Sequence, residues 1–294
     1  MGIEQILLGH GKDLGGGFMV RRVLPSAQRQ GVGPFLFFDH FGPVTVHSGA
    51  GHDVRPHPHI GLATVTYLFE GAMEHRDSLG FEQRIEPGAI NWMTAGRGIV
   101  HSERQPDDLK HATYAIHGIQ LWAALPRDRE EQAPSFVHTA AATIPAVNLA
   151  GAAVKVLVGQ AFGVVSPVQA FSGAVYLDLT LGGNASMDLP PLAPELALYP
   201  VDGPLEVDGQ VLEAGSMGLL APGAGVRLRA PRPVRVMLLG GEPIDGHRHM
   251  WWNFVSSRKE RIAQAAADWQ AQRMGQVAGD PDRIPLPDNT FTAA

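Results

Sequence analysis

His57-Pro58-His59 and His101-Ser102-Glu103 are two pairs at i, i+2 spacing, 44 residues apart (101 − 57). On β-strands such pairs project from one face. Two neighbouring strands would therefore aim three imidazoles and one carboxylate at a common point. Neutral imidazole and carboxylate are usual donors to a first-row divalent metal. Four protein ligands on an ion that accepts five or six leave positions for a substrate or O2. A single HxH has ordinary uses as a hydrogen-bonding pair. The second pair, set in Ala95-Gly96-Arg97-Gly98-Ile99-Val100-His101, turns the reading toward a metal.

Strands are needed to hold such a set, and the pattern supplies them. Short apolar runs rich in Val, Tyr, Trp, Thr and Leu occur at 63–69, 89–93, 117–123, 175–181 and 234–239. They are too short for typical helices. Turn signals stand at Glu70-Gly71, Pro87-Gly88, Asp202-Gly203, Asp208-Gly209 and Pro222-Gly223; the spacing predicts a sandwich or barrel.

The chain also repeats itself. Tyr67, Phe69, Glu70, Gly71, Met73 and Glu74 match Tyr199, Val201, Asp202, Gly203, Leu205 and Glu206 at an offset of 132 (199 − 67). Glu86, Gly88, Met93, Gly96 and Gly98 match Glu213, Gly215, Leu220, Gly223 and Gly225 at an offset of 127 (213 − 86). A hairpin shorter by five residues in the second copy, around Asp208-Gly209, would account for the change. At these offsets His57, His59, His101 and Glu103 fall opposite Leu189, Pro191, Leu228 and Ala230. Apolar replacements cannot hold the cation, so metal is expected in the first copy only.

Composition narrows the classes. The 294 residues allow one large or two ordinary domains, and 18% charged with 45% hydrophobic is a globular balance. The absence of cysteine excludes disulfides and thiolate ligands. A formal charge of −6 without a basic block argues against direct nucleic-acid binding. Met1-Gly2-Ile3-Glu4-Gln5 has neither region of a secretory signal, and no membrane span is expected. A cytoplasmic location is expected, or a nuclear one in a eukaryote. Near the end, Ser257 and Glu260 form a capping-box pattern, and Ile262, Ala265, Ala266 and Trp269 come after it at helical spacing. One amphipathic C-terminal helix and an extended tail are predicted.

Three segments carry a resemblance: His57 to Tyr67, Gly71 to Ser78, and Trp92 to Glu103. With His117 to Trp122 and Trp252 to Ser257, they resemble the pirin family over most of the chain. The resemblance implies an all-β bicupin: two tandem barrels with metal in the N-terminal one, and here the C-terminal helix. The domains expected are 1–135, metal-binding, and 136–294, whose degenerate barrel runs to about residue 245. It implies His57, His59, His101 and Glu103 as ligands of one divalent ion, foremost Fe(II), with Cu, Ni, Co, Mn or Zn as alternatives. Cupins often place a ligand Glu soon after HxH; here Ala63 and Thr64 stand there, and Glu103 takes that place. Glu70 is read as a turn residue.

Some pirins oxidise flavonols such as quercetin with O2, while the vertebrate member is discussed as an iron-dependent regulator of transcription-factor complexes. The implied function is a quercetin 2,3-dioxygenase-type enzyme acting on a small aromatic substrate, with Glu103 also the general base. The alternative is an iron-binding interaction protein working through a protein partner without turnover. A monomer is expected, with no organic cofactor.

Other residues have weaker claims. His247 and His249 form a second HxH without a partner pair. His40 could line the metal cleft, but Asp39 and His40 are rather expected to fix a turn by hydrogen bonds. Trp92, Met93, Gln120 and Trp122 are expected beside the site, as wall or as core. Glu74-His75-Arg76-Asp77 reads as an alternating, partly exposed strand whose charges could simply face water. Ser102 should point away from the metal.

Overall fold

The computed structural model describes residues 2–14, 18–50, 52–171, 173–289 and 291. Those residues are mostly strand, with one α-helix at Lys259–Gln270, which is not long and apolar enough to cross a membrane. Four of the five expected strands fall within Leu62–Glu70, Tyr114–Ala124, Ala174–Leu181 and Val234–Gly241, and the run 89–93 forms Ile90–Thr94, one residue later.

Two compact units emerge, and both are discontinuous in sequence. The first joins Met1–Gly11, Arg21–Asp39 and Ala142–Ile244; the second joins Lys12–Val20, His40–Ala141 and Asp245–Ala294. Hydrogen bonding is the reason at the start of the chain, where Ile3–Leu8 pairs with Ser216–Leu220. At the end it is burial of the apolar stripe of the helix.

In the first unit a seven-stranded antiparallel sheet faces a four-stranded one formed by Ser186–Leu189, Val226–Arg229, Leu205–Val207 and Gln210–Leu212. Leu177, Leu198 and Leu238 from the large sheet meet Leu189, Leu205 and Leu228 from the small one in a single core. Leu189, Leu228 and Ala230, opposite three of the proposed ligands in the repeat, are all in that core.

The second unit repeats the arrangement. Its small sheet runs Val54–His59, Ile99–Arg104, Met73–Asp77, Glu82–Ile85. Its large sheet includes Ser135–Thr139, Ile90–Thr94, Leu62–Glu70 and Tyr114–Ala124 in that order. Phe41, Leu68, Met73, Ile85 and Ile116 pack between them. The five-residue difference sits in one hairpin. Met73 pairs with Ile85 but Leu205 pairs with Leu212, separations of 12 and 7 (85 − 73, 212 − 205). The short form turns through Asp208 and Gly209 at φ 49° and 82°, where a two-residue turn matches the strand twist.

The helix belongs to the second unit because of its apolar stripe. Ile262, Ala265 and Trp269 are buried with Ile60, Val100, Phe254 and Val277. Val100 precedes His101 on its strand, so the helix covers the face opposite the imidazoles. The capping box does not form. Arg258 is the N-cap without a side-chain bond, because the Ser257 hydroxyl donates to Glu130 Oε2 at 2.8 Å. Glu130 in turn pairs with the fully buried Arg248 at 2.7 Å, and Arg248 also donates to the Leu125 carbonyl at 2.8 Å.

Candidate metal centre

Each ligand strand presents its pair to the interior as the period of two requires. His57 and His101 are direct partners across the antiparallel pair. The ring centroids of His57, His59 and His101 are 4.4 to 5.1 Å apart. One ligand nitrogen from each lies within 4.8 Å of the others, and all three residues are buried. Glu103 shares their face of the strand but is outside that trio; it sits opposite His75 in Met73–Asp77.

Hydrogen bonds select which nitrogen is offered. His57 Nδ1 donates to the Arg55 carbonyl at 2.8 Å, and His59 Nδ1 donates to the Asn253 carbonyl at 3.1 Å. Both leave Nε2 with its lone pair inward, the usual way an outer carbonyl orients a metal-binding imidazole. Among the described residues His101 has no hydrogen-bond partner at either ring nitrogen. A buried imidazole left so costs stability unless something accepts its lone pair, and a cation does.

Burial pushes the imidazoles toward the neutral form. His57 is lowered to about 4, and His59 and His101 fall well below the ordinary value, their mutual repulsion adding to the effect. Burial raises Glu103 to about 7, opposed by a hydrogen bond from Thr66. Thr66 Oγ1 is also 2.8 Å from the side-chain oxygen of Gln120. One hydroxyl proton serves one acceptor, so Gln120 and Glu103 compete for it unless the Gln120 amide turns its NH2 to Thr66. Three neutral nitrogen donors, with a buried carboxyl on the same face of the strand, suit a divalent ion, whose charge would offset the cost of ionising Glu103.

The walls are partly those expected. Thr64 pairs with Met93 and Trp122, and Thr66 with Asn91 and Gln120, so these side chains share one face. The Trp122 ring stands edge-on to His59 at 5.1 Å. Trp92 pairs with Val65, which puts it on the other face of the sheet, away from that wall.

Two expectations do not hold. His75 and Asp77 do not face water: they are 3% and 1% exposed, and His75 Nε2 donates to Asp77 at 2.9 Å. The His75 ring stacks on Phe136 at 4.2 Å and lies 5.3 Å from His101. The alternation expected of this strand is present: Glu74 and Arg76 are its partly exposed members. Asp39 and His40 lie within the strand Phe35–Val46 rather than in a turn. Arg22 clamps Asp39 with two bonds of 2.8 and 2.7 Å, and His40 Nε2 is 2.8 Å from His117 Nε2.

In the second HxH, Arg248 is the buried member, and the His247 and His249 rings are 4.7 Å apart. They join no third ligand; among the described residues His57, His59 and His101 are the cluster of that kind. The carbonyls of Arg55 and Asn253 were invisible in sequence, because any residue carries one.

Two family models match the chain: Pirin over residues 17–123 and the Pirin C-terminal cupin domain over 176–275. A pirin-like protein of Caulobacter vibrioides is 47% identical over 281 residues, covering 94% of this chain and 96% of that one. The mouse protein named pirin is 32% identical over 269 residues, covering 89% of each. The crystal structure of a quercetin 2,3-dioxygenase from Acinetobacter baumannii superposes with a TM-score of 0.88 at 36% identity, covering 97% of this chain and 96% of its own. With two family models and these relatives matching along its length, the chain belongs to the pirin family and folds as its two cupin domains.

Proposed function

We propose that this protein is a mononuclear metal-dependent dioxygenase that acts with O2 on a flavonol-like aromatic compound. The observation that carries the reading is the buried trio His57, His59 and His101, neutral by burial and with His101 unpartnered at both nitrogens among the described residues. The likeness to a quercetin 2,3-dioxygenase at 36% identity supports the substrate class.

In this reading the three imidazoles hold the ion through Nε2 of His57 and His59 and one nitrogen of His101, with Glu103 as the fourth donor. The ion, foremost Fe(II), supplies Lewis acidity toward a substrate hydroxyl and a meeting place for O2. Glu103, ionised beside the ion, would take the hydroxyl proton as general base. Thr66 tunes that carboxyl by donating to its ionised form. Trp122 and Met93 form an apolar wall against which an aromatic ring can lie.

The test is loss of quercetin absorbance by metal-reconstituted protein, with and without O2. Multiple O2-dependent turnovers are expected. Metallated protein that turns over no flavonol would overturn the enzymatic reading and leave a metal-holding interaction protein.

A further inference from the structure

We infer that the C-terminal segment 277–284 is a clamp that positions the metal ligands from outside the sheet. The inference rests on the proposed metal centre. Arg104 comes directly after Glu103 and points to the opposite face of the strand. Its Nε donates to Asp280 Oδ2 at 2.8 Å, and Nη2 donates to both Asp280 Oδ1 and Asp282 Oδ2, at 2.5 and 3.1 Å. This fork-on-carboxylate geometry restrains direction as well as distance. Asp53 completes the link, accepting from Arg104 Nη1 at 3.3 Å and from the Gln105 backbone at 2.7 Å.

The second contact meets the other ligand strand at its irregular point. His101 pairs with His57, but Glu103 pairs with Val54. Arg55 and Pro56 together therefore oppose Ser102 alone, a bulge that bends the strand and re-aims its side chains. Within the bulge the Arg55 carbonyl orients His57, and the Pro56 carbonyl accepts the backbone N–H of Ile284 at 2.9 Å. The segment is anchored in turn to the helix: Trp269 Nε1 donates to the Ile284 carbonyl at 2.9 Å, and Arg283 lies over the Trp269 ring at 4.3 Å. A cavity of ≈ 570 Å³ lined by Pro56, Val100, Trp269 and Asp280 lies at this segment. Val277 packs into the apolar cluster with Trp269 and Val100, and the polar contacts fix the rest of the segment beside that opening.

Both ligand strands are thus held on one face by 277–284 and bear the ligands on the other. Releasing the clamp lets Glu103 and His57 shift relative to His59 and His101. Asp280 and Ile284 are positioning residues.

The experiment is Co(II) binding to the full chain, read as a dissociation constant by chelator competition and as the visible absorption of the bound ion. Asp280→Asn removes the charge with little change of shape, and Ile284→Pro removes the N–H. Each is expected to weaken Co(II) binding about 10–100-fold, the range for outer partners of metal ligands, and to alter the absorption band. Thermal unfolding without metal should change little, and Asp280→Glu should restore most of the affinity. Wild-type affinity and spectrum in both variants would overturn the clamp alone. A wild-type protein that binds no Co(II) would overturn the proposed metal centre and the clamp with it.

Discussion

His57 and His101 face one another across an antiparallel strand pair with ring centroids 4.4 Å apart. One is turned by a backbone carbonyl and the other has no hydrogen-bond partner among the described residues. Burial disfavours a proton on either ring, and two charges this close would also repel, so both rings are kept neutral with a lone pair each to offer a cation.

His101→Ala is expected to empty the site while leaving the fold largely intact. The two apolar cores carry the stability of a chain this long, and the mutation also removes a buried ring with unmet nitrogens. Metal analysis together with circular dichroism checks it; a variant that stays fully metallated contradicts it.

Glu103→Gln keeps the size and one carbonyl oxygen but loses the charge. Metal retention should weaken, and turnover per bound metal should fall by ~10²–10⁴, the range for lost acid–base help. Rates divided by measured metal content are the readout. Equal turnover per metal would leave Glu103 as a ligand without a proton role.

Metal uptake near pH 6 should release about one proton, from Glu103 and not from the imidazoles. At that pH the buried histidines are already neutral, with His57 at about 4, while Glu103, raised to about 7, is largely protonated. Calorimetry in buffers of different ionisation enthalpy counts the protons. None released at pH 6 would mean that Glu103 is not ionised by the metal.

Without metal, stability should decline on acidification from about pH 6.5 toward 4. The unfolded histidines take up protons in this window and the folded ones do not, so the unfolded state gains. Glu103 works in the opposite sense: its folded carboxyl binds a proton more tightly than the unfolded one, and it costs stability as pH rises through about 7. Three imidazoles against one carboxyl make the acid-side loss the larger. Denaturant midpoints of metal-free protein between pH 4 and 8 read both limbs, and an acid limb absent from wild type contradicts the burial of the trio.

Arg248→Met should destabilise the protein by roughly 3–5 kcal/mol, the cost of stranding a buried ion-pair partner. Glu130 would remain at 3% exposure with its Ser256 and Ser257 donors but no cation. The double variant Arg248→Met, Glu130→Met should recover part of the loss, measured by chemical unfolding.

Local periodicity and residue type made much of this protein legible from its amino acids. Alternation specified the strands, the two offsets located the shortened hairpin, and the i, i+2 pairs named the three imidazoles that come together. The absence of donors at Leu189, Leu228 and Ala230 told which copy could hold an ion, because apolar side chains cannot. Features that depend on partners distant in the chain took shape only on folding. Alternation splits the strand Met73–Asp77 into two faces, but that the His75 and Asp77 face is the buried one was decided by packing such as Phe136, some sixty residues away, on the His75 ring. Ser257 abandons its capping role because Glu130 offers its hydroxyl a carboxylate. The first and last segments of the chain each join the unit where a sheet edge or an apolar sheet face was left to cover. The carbonyls of Arg55 and Asn253 that select the inward nitrogens carry no signature of their own, since every residue has one and only folding chooses which are used.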